Sequence, residues 1–204
     1  PTRRSSDLNH FYSGEISQRI ILDMQENGGL LAIEDLQECT PEEHPPLWGT
    51  FFDYKIATNN PPGGGVMLVE MLNILEECDL KGMGHNSVEY IKVVSEVMKI
   101  ATIDKDTKVG DPKFTVVPTD QLTSKSYAKA HAEKIKRGDR AVVNRVNKGN
   151  PESKCTTQLV LADVSGNCVT MTHTLGQPSG GVTEGLGFMY NGAMTGFDPR
   201  PGRP

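Results

Sequence analysis

Residues 156–163 and 167–174 are two runs rich in Val, Leu, Thr and Met, separated by the turn-forming string Val164-Ser165-Gly166. Runs of this length and composition, bounded by Asp, Ser, Gly and Asn, predict an antiparallel hairpin. With the turn centred near Ser165, Thr156 falls opposite Thr174. Alternation then places Thr156, Gln158, Val160, Ala162, Cys168, Thr170, Thr172 and Thr174 on one face. Leu159, Leu161, Val169 and Met171 share the other, and His173 points to that side too. One face is therefore hydroxyl-rich, and it ends in a pair of threonines. Threonine has a high strand propensity, so spacing by itself assigns this face no chemistry.

The rest of the chain bounds what such a hairpin can belong to. The sequence has 204 residues, 36% of them hydrophobic, and a formal charge of -5, which suits one globular domain or part of a larger one. Mild acidity, with Lys and Arg scattered rather than striped, argues against a nucleic-acid partner. No apolar run reaches the length of a membrane span. Cys39, Cys78, Cys155 and Cys168 make no Cys-x-x-Cys pair, and the five histidines have no metal-ligand spacing, so neither a disulfide framework nor a metal is expected. Residues 1–8 read like a translated sequencing adaptor and carry no weight in the fold.

In chain order, Phe11 to Gly14 opens a helix with Ile16, Ile20, Ile21 and Met24 at helical spacing, closed by Asn27-Gly28-Gly29. A short helical turn spans residues 33–36, residues 40–46 form a loop, and residues 48–58 read as one β-strand. Residues 66–77 and 87–103 predict helices. Met67, Met71, Ile74 and Leu75 line the first, and Ile91, Val94, Val97, Met98 and Ala101 the second. A further helix runs from about Leu122 to Lys136. Residues 137–155 are polar and charged, as a solvated linker would be. The glycine-rich string 61–65 precedes a helix, as in phosphate-binding loops. No Lys-Ser/Thr follows it, so a turn allowing close packing is the reading that stands.

Several stretches together resemble the γ-glutamyltransferase family. They are Thr156-Thr157-Gln158, the Asp163…Gly166-Asn167 turn, Thr170…Thr172…Thr174-Leu175, and Gly187-Phe188-Met189-Tyr190-Asn191…Met194…Phe197…Pro201-Gly202-Arg203-Pro204. The Pro-Pro-x-x-Gly string at 61–65, Leu72 to Glu76, and Asp104-Lys105 with Gly110-Asp111-Pro112 have the family's flavour as well. In the Asp104-Lys105 pair, Lys105 stands where the family has Arg, and both residues are read as structural.

The resemblance implies an N-terminal-nucleophile hydrolase: an α/β fold in αββα layers, incomplete here. Residues 9–155 would be the end of a large subunit and 156–204 the start of a small one, the two staying associated after the precursor cuts itself. Autocleavage would fall at Cys155–Thr156, Thr156 would be the nucleophile, and Thr174 would orient it. No cofactor is implied. The partners would be a γ-glutamyl or other acyl amide donor and an amino acid or water acceptor, in a periplasmic or secreted setting. The donor-anchoring Arg and the glycine pair of the oxyanion hole would lie outside residues 11–204, leaving this piece inactive alone.

The same resemblance places substrate contacts at Thr172, Gly176 and Gly196, and there the sequence departs from it. Gly176 stands where glutathione-cleaving members have Asn. The family's Asn-Asn-Gln-Met-Asp-Asp string is Asn191-Gly192-Ala193-Met194-Thr195-Gly196, with Asp198 two residues on. Ala193 offers no hydrogen bond, and Gly196 no charge for a donor's ammonium. An acylase acting on a different amide and a non-catalytic homologue are the alternatives.

Overall fold

A segment that is apolar nearly all round its helical wheel must be covered on several sides, and α4, Gly65–Glu76, is such a segment. The computed structural model describes residues 5–143 and 156–196, which fall into two compact units. One holds the described part of 43–149, the other 5–42 together with 156–196.

In the first unit α4 is packed by α6 (Val88–Lys108), α8 (Lys125–Lys136) and the hairpin of β1 (Leu47–Phe51) and β2 (Tyr54–Thr58). Ile74, Cys78, Val97, Ile100, Ala128 and Ala132 form its core. Each large aliphatic side chain buried there contributes about 1.5–3 kcal/mol. Hydroxyl caps set α6 and α8: Ser87 Oγ accepts the Tyr90 N–H at 3.1 Å and Ser124 Oγ that of Tyr127 at 3.2 Å. Ser124 thus starts α8 at Lys125, after the separate short helix α7, Thr119–Leu122. The small helix α5, Leu80–Met83, is capped by Asp79.

Three expectations are corrected in this unit, the first being the helix start at Leu122, since α8 begins at Lys125. Residues 48–58 are two strands, paired Leu47 to Thr58 through Phe51 to Tyr54, not one. Phe52 turns the chain at φ 50°, and its N–H donates to Glu76 Oε1 at 2.6 Å, so a helix side chain fixes a turn that no glycine marks. In α6, Ile91 and Met98 are exposed. The inward face carries Val97, Ile100, Ala101 and Asp104, because α4 and α8 both cover that side. Asp104 and Lys105 part company: Asp104 is buried, while Lys105 lies on the surface beside Asp106 at 2.6 Å. The glycine string behaves as a packing device. A Cβ on Gly65 would lie 2.0 Å from the Asn59 carbonyl oxygen, so the glycine lets the start of α4 approach the chain after β2.

The second unit contains α1 (Ser5–Tyr12), α2 (Glu15–Glu26), α3 (Ile33–Gln37) and two hairpins. The expected single helix opening at Phe11 is two helices. A Cβ on Gly14 would stand 2.8 Å from the His10 backbone, and the tight break it permits lets α2 begin at Glu15. Ile20 and Ile21 are buried on α2. The hairpins are β3 (Thr156–Ala162) with β4 (Cys168–Thr174), and β5 (Pro178–Val182) with β6 (Met189–Asn191), followed by a 3-10 turn Ala193–Gly196. Thr183, itself buried, hydrogen-bonds Asp23 of α2 and the Tyr190 hydroxyl, and Arg19 donates to the Glu184 carbonyl at 2.6 Å. These contacts tie α2 to the β5–β6 hairpin.

All three sheets among the described residues have two strands. Leu159, Leu161, Val169 and Met171, the apolar face of β3–β4, remain exposed. A hairpin with an uncovered apolar face is what an incomplete α/β layer presents.

Candidate active site

The β3–β4 turn is closed by one side chain. Asp163 Oδ1 accepts the Ser165 and Asn167 N–H groups at 2.9 Å each, and Oδ2 accepts from the Asn167 amide at 2.8 Å. The Asn167 side chain, with these backbone donors, holds the Asp163 carboxyl below the usual aspartate range. A turn fixed this way leaves one register, and it pairs Thr156 with Thr174, Gln158 with Thr172 and Ala162 with Cys168. This is the register expected from the turn centre.

The pairing brings the two terminal hydroxyls together: Thr156 Oγ donates to Thr174 Oγ at 3.2 Å. Thr174 Oγ also accepts the Gly176 N–H at 2.9 Å. One residue further along the face, Gln158 clamps two hydroxyls. Its Nε2 donates to Thr170 Oγ, and its Oε1 accepts from Thr172 Oγ. Thr172 is thereby engaged with Gln158, while Thr174 stands next to Thr156. His173 pairs with Thr157 and so lies on the opposite face from the hydroxyl pair.

The substrate-side positions draw together as well. The Gly192 N–H donates to the Leu175 carbonyl at 2.8 Å, joining the segment after β4 to the segment after β6. A Cβ on Gly176 would meet the Ala193 backbone at 3.4 Å. Gly176 and Ala193, two of the positions where the sequence loses polar side chains, are therefore neighbours. Gly176 has φ +68°, a conformation that Asn adopts more readily than other non-glycine residues. Gly196 ends the 3-10 turn. Cys155 and Asp198 lie outside the described residues.

Two contacts were not visible in the sequence: the Gly176 N–H on Thr174 and the Gln158 clamp. The first depends on backbone direction after β4 and leaves no sequence signal. The second had one, since Gln158 lies between Thr170 and Thr172 once the register is drawn. Among the described residues no cluster of three His, Cys, Asp or Glu side chains could hold a metal, and no helix is long and apolar enough to cross a membrane.

This partial α/β architecture has counterparts among solved structures. Cephalosporin acylase from Bacillus halodurans superposes with a TM-score of 0.78 at 26% identity, over 95% of this chain and 35% of that one. The fold is thus that of the N-terminal-nucleophile hydrolases of the transpeptidase and acylase kind, present here in part. The γ-glutamyltranspeptidase family model matches residues 4–203, and the chain belongs to that family. The glutathione hydrolase proenzyme of Escherichia coli K12 is 36% identical over 95% of this chain. The acylase ACY 1 proenzyme of Pseudomonas sp. V22 is 34% identical over 94% of it. The chain spans about a third of the length of these curated relatives, 34% and 35% respectively.

Proposed function

We propose that this chain carries the self-cleavage site and nucleophile of a γ-glutamyltransferase-like proenzyme. The observation that carries the reading is the Thr156 hydroxyl at the first residue of β3, hydrogen-bonded to Thr174. A threonine hydroxyl is a weak nucleophile without a base, and His173 lies on the wrong face to serve. If the bond before Thr156 is cut, the residue gains its own α-amine, with a pKa near 7.7–8.0 in reference peptides. Base and nucleophile then sit on one residue.

In the maturation step Thr156 Oγ adds to the Cys155 carbonyl carbon and the peptide C–N bond breaks. The acyl group moves from nitrogen to oxygen. Water then hydrolyses the ester, leaving a carboxylate on Cys155 and a free amine and hydroxyl on Thr156. In the catalytic step the amine takes the hydroxyl proton as Oγ attacks the donor's γ-amide, and the leaving amine is protonated. Water or an amino acid resolves the acyl-enzyme. Thr174, fixed by the Gly176 N–H, orients Thr156 throughout. Residues up to 155 become the end of the large subunit and those from 156 the start of the small one, which remain associated.

A specific observation favours a second reading, an acylase acting on a different acyl amide. Gly176 and Ala193 adjoin, and neither carries a polar group for an α-amino-acid end of a donor. Losing a buried polar or ionic partner costs about 2–5 kcal/mol in recognition. The likeness to acylases supports this reading too.

The test is expression of the full-length protein and a denaturing gel. Two bands whose smaller member begins at Thr156, absent in Thr156→Ala, support the proposal; a single uncut chain supports a non-catalytic homologue. γ-Glutamyl and glutaryl amide donors assayed side by side then decide between transferase and acylase.

A further inference from the structure

Glu70 sits in the middle of α4 and is 1% exposed, yet neither of its carboxylate oxygens accepts a hydrogen bond from any N–H or O–H among the described residues. An ionised carboxylate in such a place would be left without donors, which a folded protein rarely tolerates. The polar group that meets it is another buried carboxyl, Asp104 of α6, the helix packed directly against α4. Two ionised carboxylates offer only acceptors to each other, so a bond between them requires a proton on one.

The surroundings decide which one. Lys108 Nζ lies 2.7 Å from Asp104 Oδ1, and the Tyr127 hydroxyl donates to Asp104 Oδ2 at 2.6 Å while accepting from Lys108 at 3.0 Å. Burial works to raise Asp104, but these bonds from Lys108 and Tyr127 outweigh it and hold its carboxyl below the ordinary range. Glu70 has no such donors; burial first, and Asp104 second, push it up to about 8. Lys108 is the cation that acts on Glu70 in the opposite direction. From α8, Tyr127 engages Asp104, and the His131 ring lies against Tyr127 in a tilted contact with centroids 4.6 Å apart. No charged group of α7, β1 or β2 acts on Glu70 among the described residues.

We propose that Glu70 is carried as the neutral acid and donates its proton to Asp104, forming a carboxylic acid–carboxylate bond that joins α4 to α6 and is lost when Glu70 ionises. The bond is a proton-operated clamp within the larger core. It adds one link to the existing Asp104–Lys108–Tyr127 set, so that a single hydrogen-bonded chain runs through three helices. The clamp is independent of the hydroxyl-pair chemistry.

Linkage gives the sign. The folded state binds a proton at Glu70 more tightly than the unfolded chain does, so the clamp's contribution is complete below the ordinary glutamate value of 4.5 and is lost as pH rises to about 8. One proton linked to folding changes the folding constant tenfold per pH unit inside that window.

The experiment follows equilibrium urea unfolding of the full-length protein from pH 5 to 8, wild type against Glu70→Gln. An amide keeps a donor for Asp104 at every pH. The wild type is expected to lose folding constant relative to Glu70→Gln by up to tenfold per pH unit, with no loss of that kind in the variant. Equal pH slopes in the two proteins overturn the proposal. Should the variant fail to fold, carbon-13 NMR of side-chain-labelled glutamates in the wild type decides instead. One glutamate still in the acid form at pH 7 supports the clamp, and uniform titration in the ordinary range refutes it.

Discussion

Replacing Thr174 by valine keeps the shape of the side chain and its strand propensity but removes the oxygen that Thr156 Oγ reaches at 3.2 Å and that the Gly176 N–H reaches at 2.9 Å. The first contact lies beyond the usual O–H···O range of about 2.5–3.0 Å, and it is exposed, so its share of stability is small. A neutral hydrogen bond contributes about 0.5–1.5 kcal/mol, and this one belongs at the lower end. The Gly176 N–H is also exposed and turns to water when its partner is removed. Together these limit the loss of folding stability to about 1 kcal/mol.

Reaction rate responds more strongly. Without Thr174 the Thr156 hydroxyl swings freely about χ1, and misplacement of a nucleophile by ~1 Å costs on the order of a hundredfold. Thr174→Val is therefore expected to slow both self-cleavage and amide turnover about 10–100-fold, while Thr174→Ser, which keeps the oxygen, restores most of each. Cleavage is followed on denaturing gels, turnover by release of a chromogenic amine, and stability by urea titration. Processing and turnover within about twofold of wild type in Thr174→Val would refute the positioning role.

Three further outcomes test the fold. Ile74 is fully buried at the centre of the α4–α6–α8 core, and Ile74→Ala is expected to cost about 2–5 kcal/mol in urea unfolding. Gly65→Ala drives a Cβ to 2.0 Å from the Asn59 carbonyl oxygen, whereas a Cβ on Gly64 meets nothing within 4 Å. The first should destabilise by at least about 1–3 kcal/mol and the second by less than about 0.5 kcal/mol, read as a difference between their melting curves. Ser124→Ala removes the α8 cap and should cost about 1 kcal/mol, with the loss confined to amide protons at the start of α8 in hydrogen exchange.

The hairpin at the centre of the candidate site was legible because local rules decide it. Period-two alternation assigns the faces of β3 and β4, and the Asp163 turn fixes the register, so Thr156 and Thr174 meet without help from the rest of the chain. The same holds for the start of α6 at Ser87, whereas α8 begins three residues after the Leu122 expected, because Ser124 caps it. Family likeness, carried by 156–174 and 187–204, was also a property of the string of residues.

What the string did not decide are features made by distant partners. Phe52 turns the chain because Glu76, a helix away, takes its N–H, and no residue near Phe52 announces that. The inward face of α6 is chosen by where α4 and α8 lie, so Ile91 and Met98 face out although they share a helical period with buried neighbours. Gly176 and Ala193 become adjacent only when Gly192 bonds to Leu175. Glu70 carries no signal in the sequence, and the Asp104-Lys105 pair, though read as structural, gave no sign that Asp104 would meet it. Packing two helices together excludes water from both carboxyls, and the donors that reach Asp104 but not Glu70 come from residues far along the chain from Glu70, so no local pattern marks the pair.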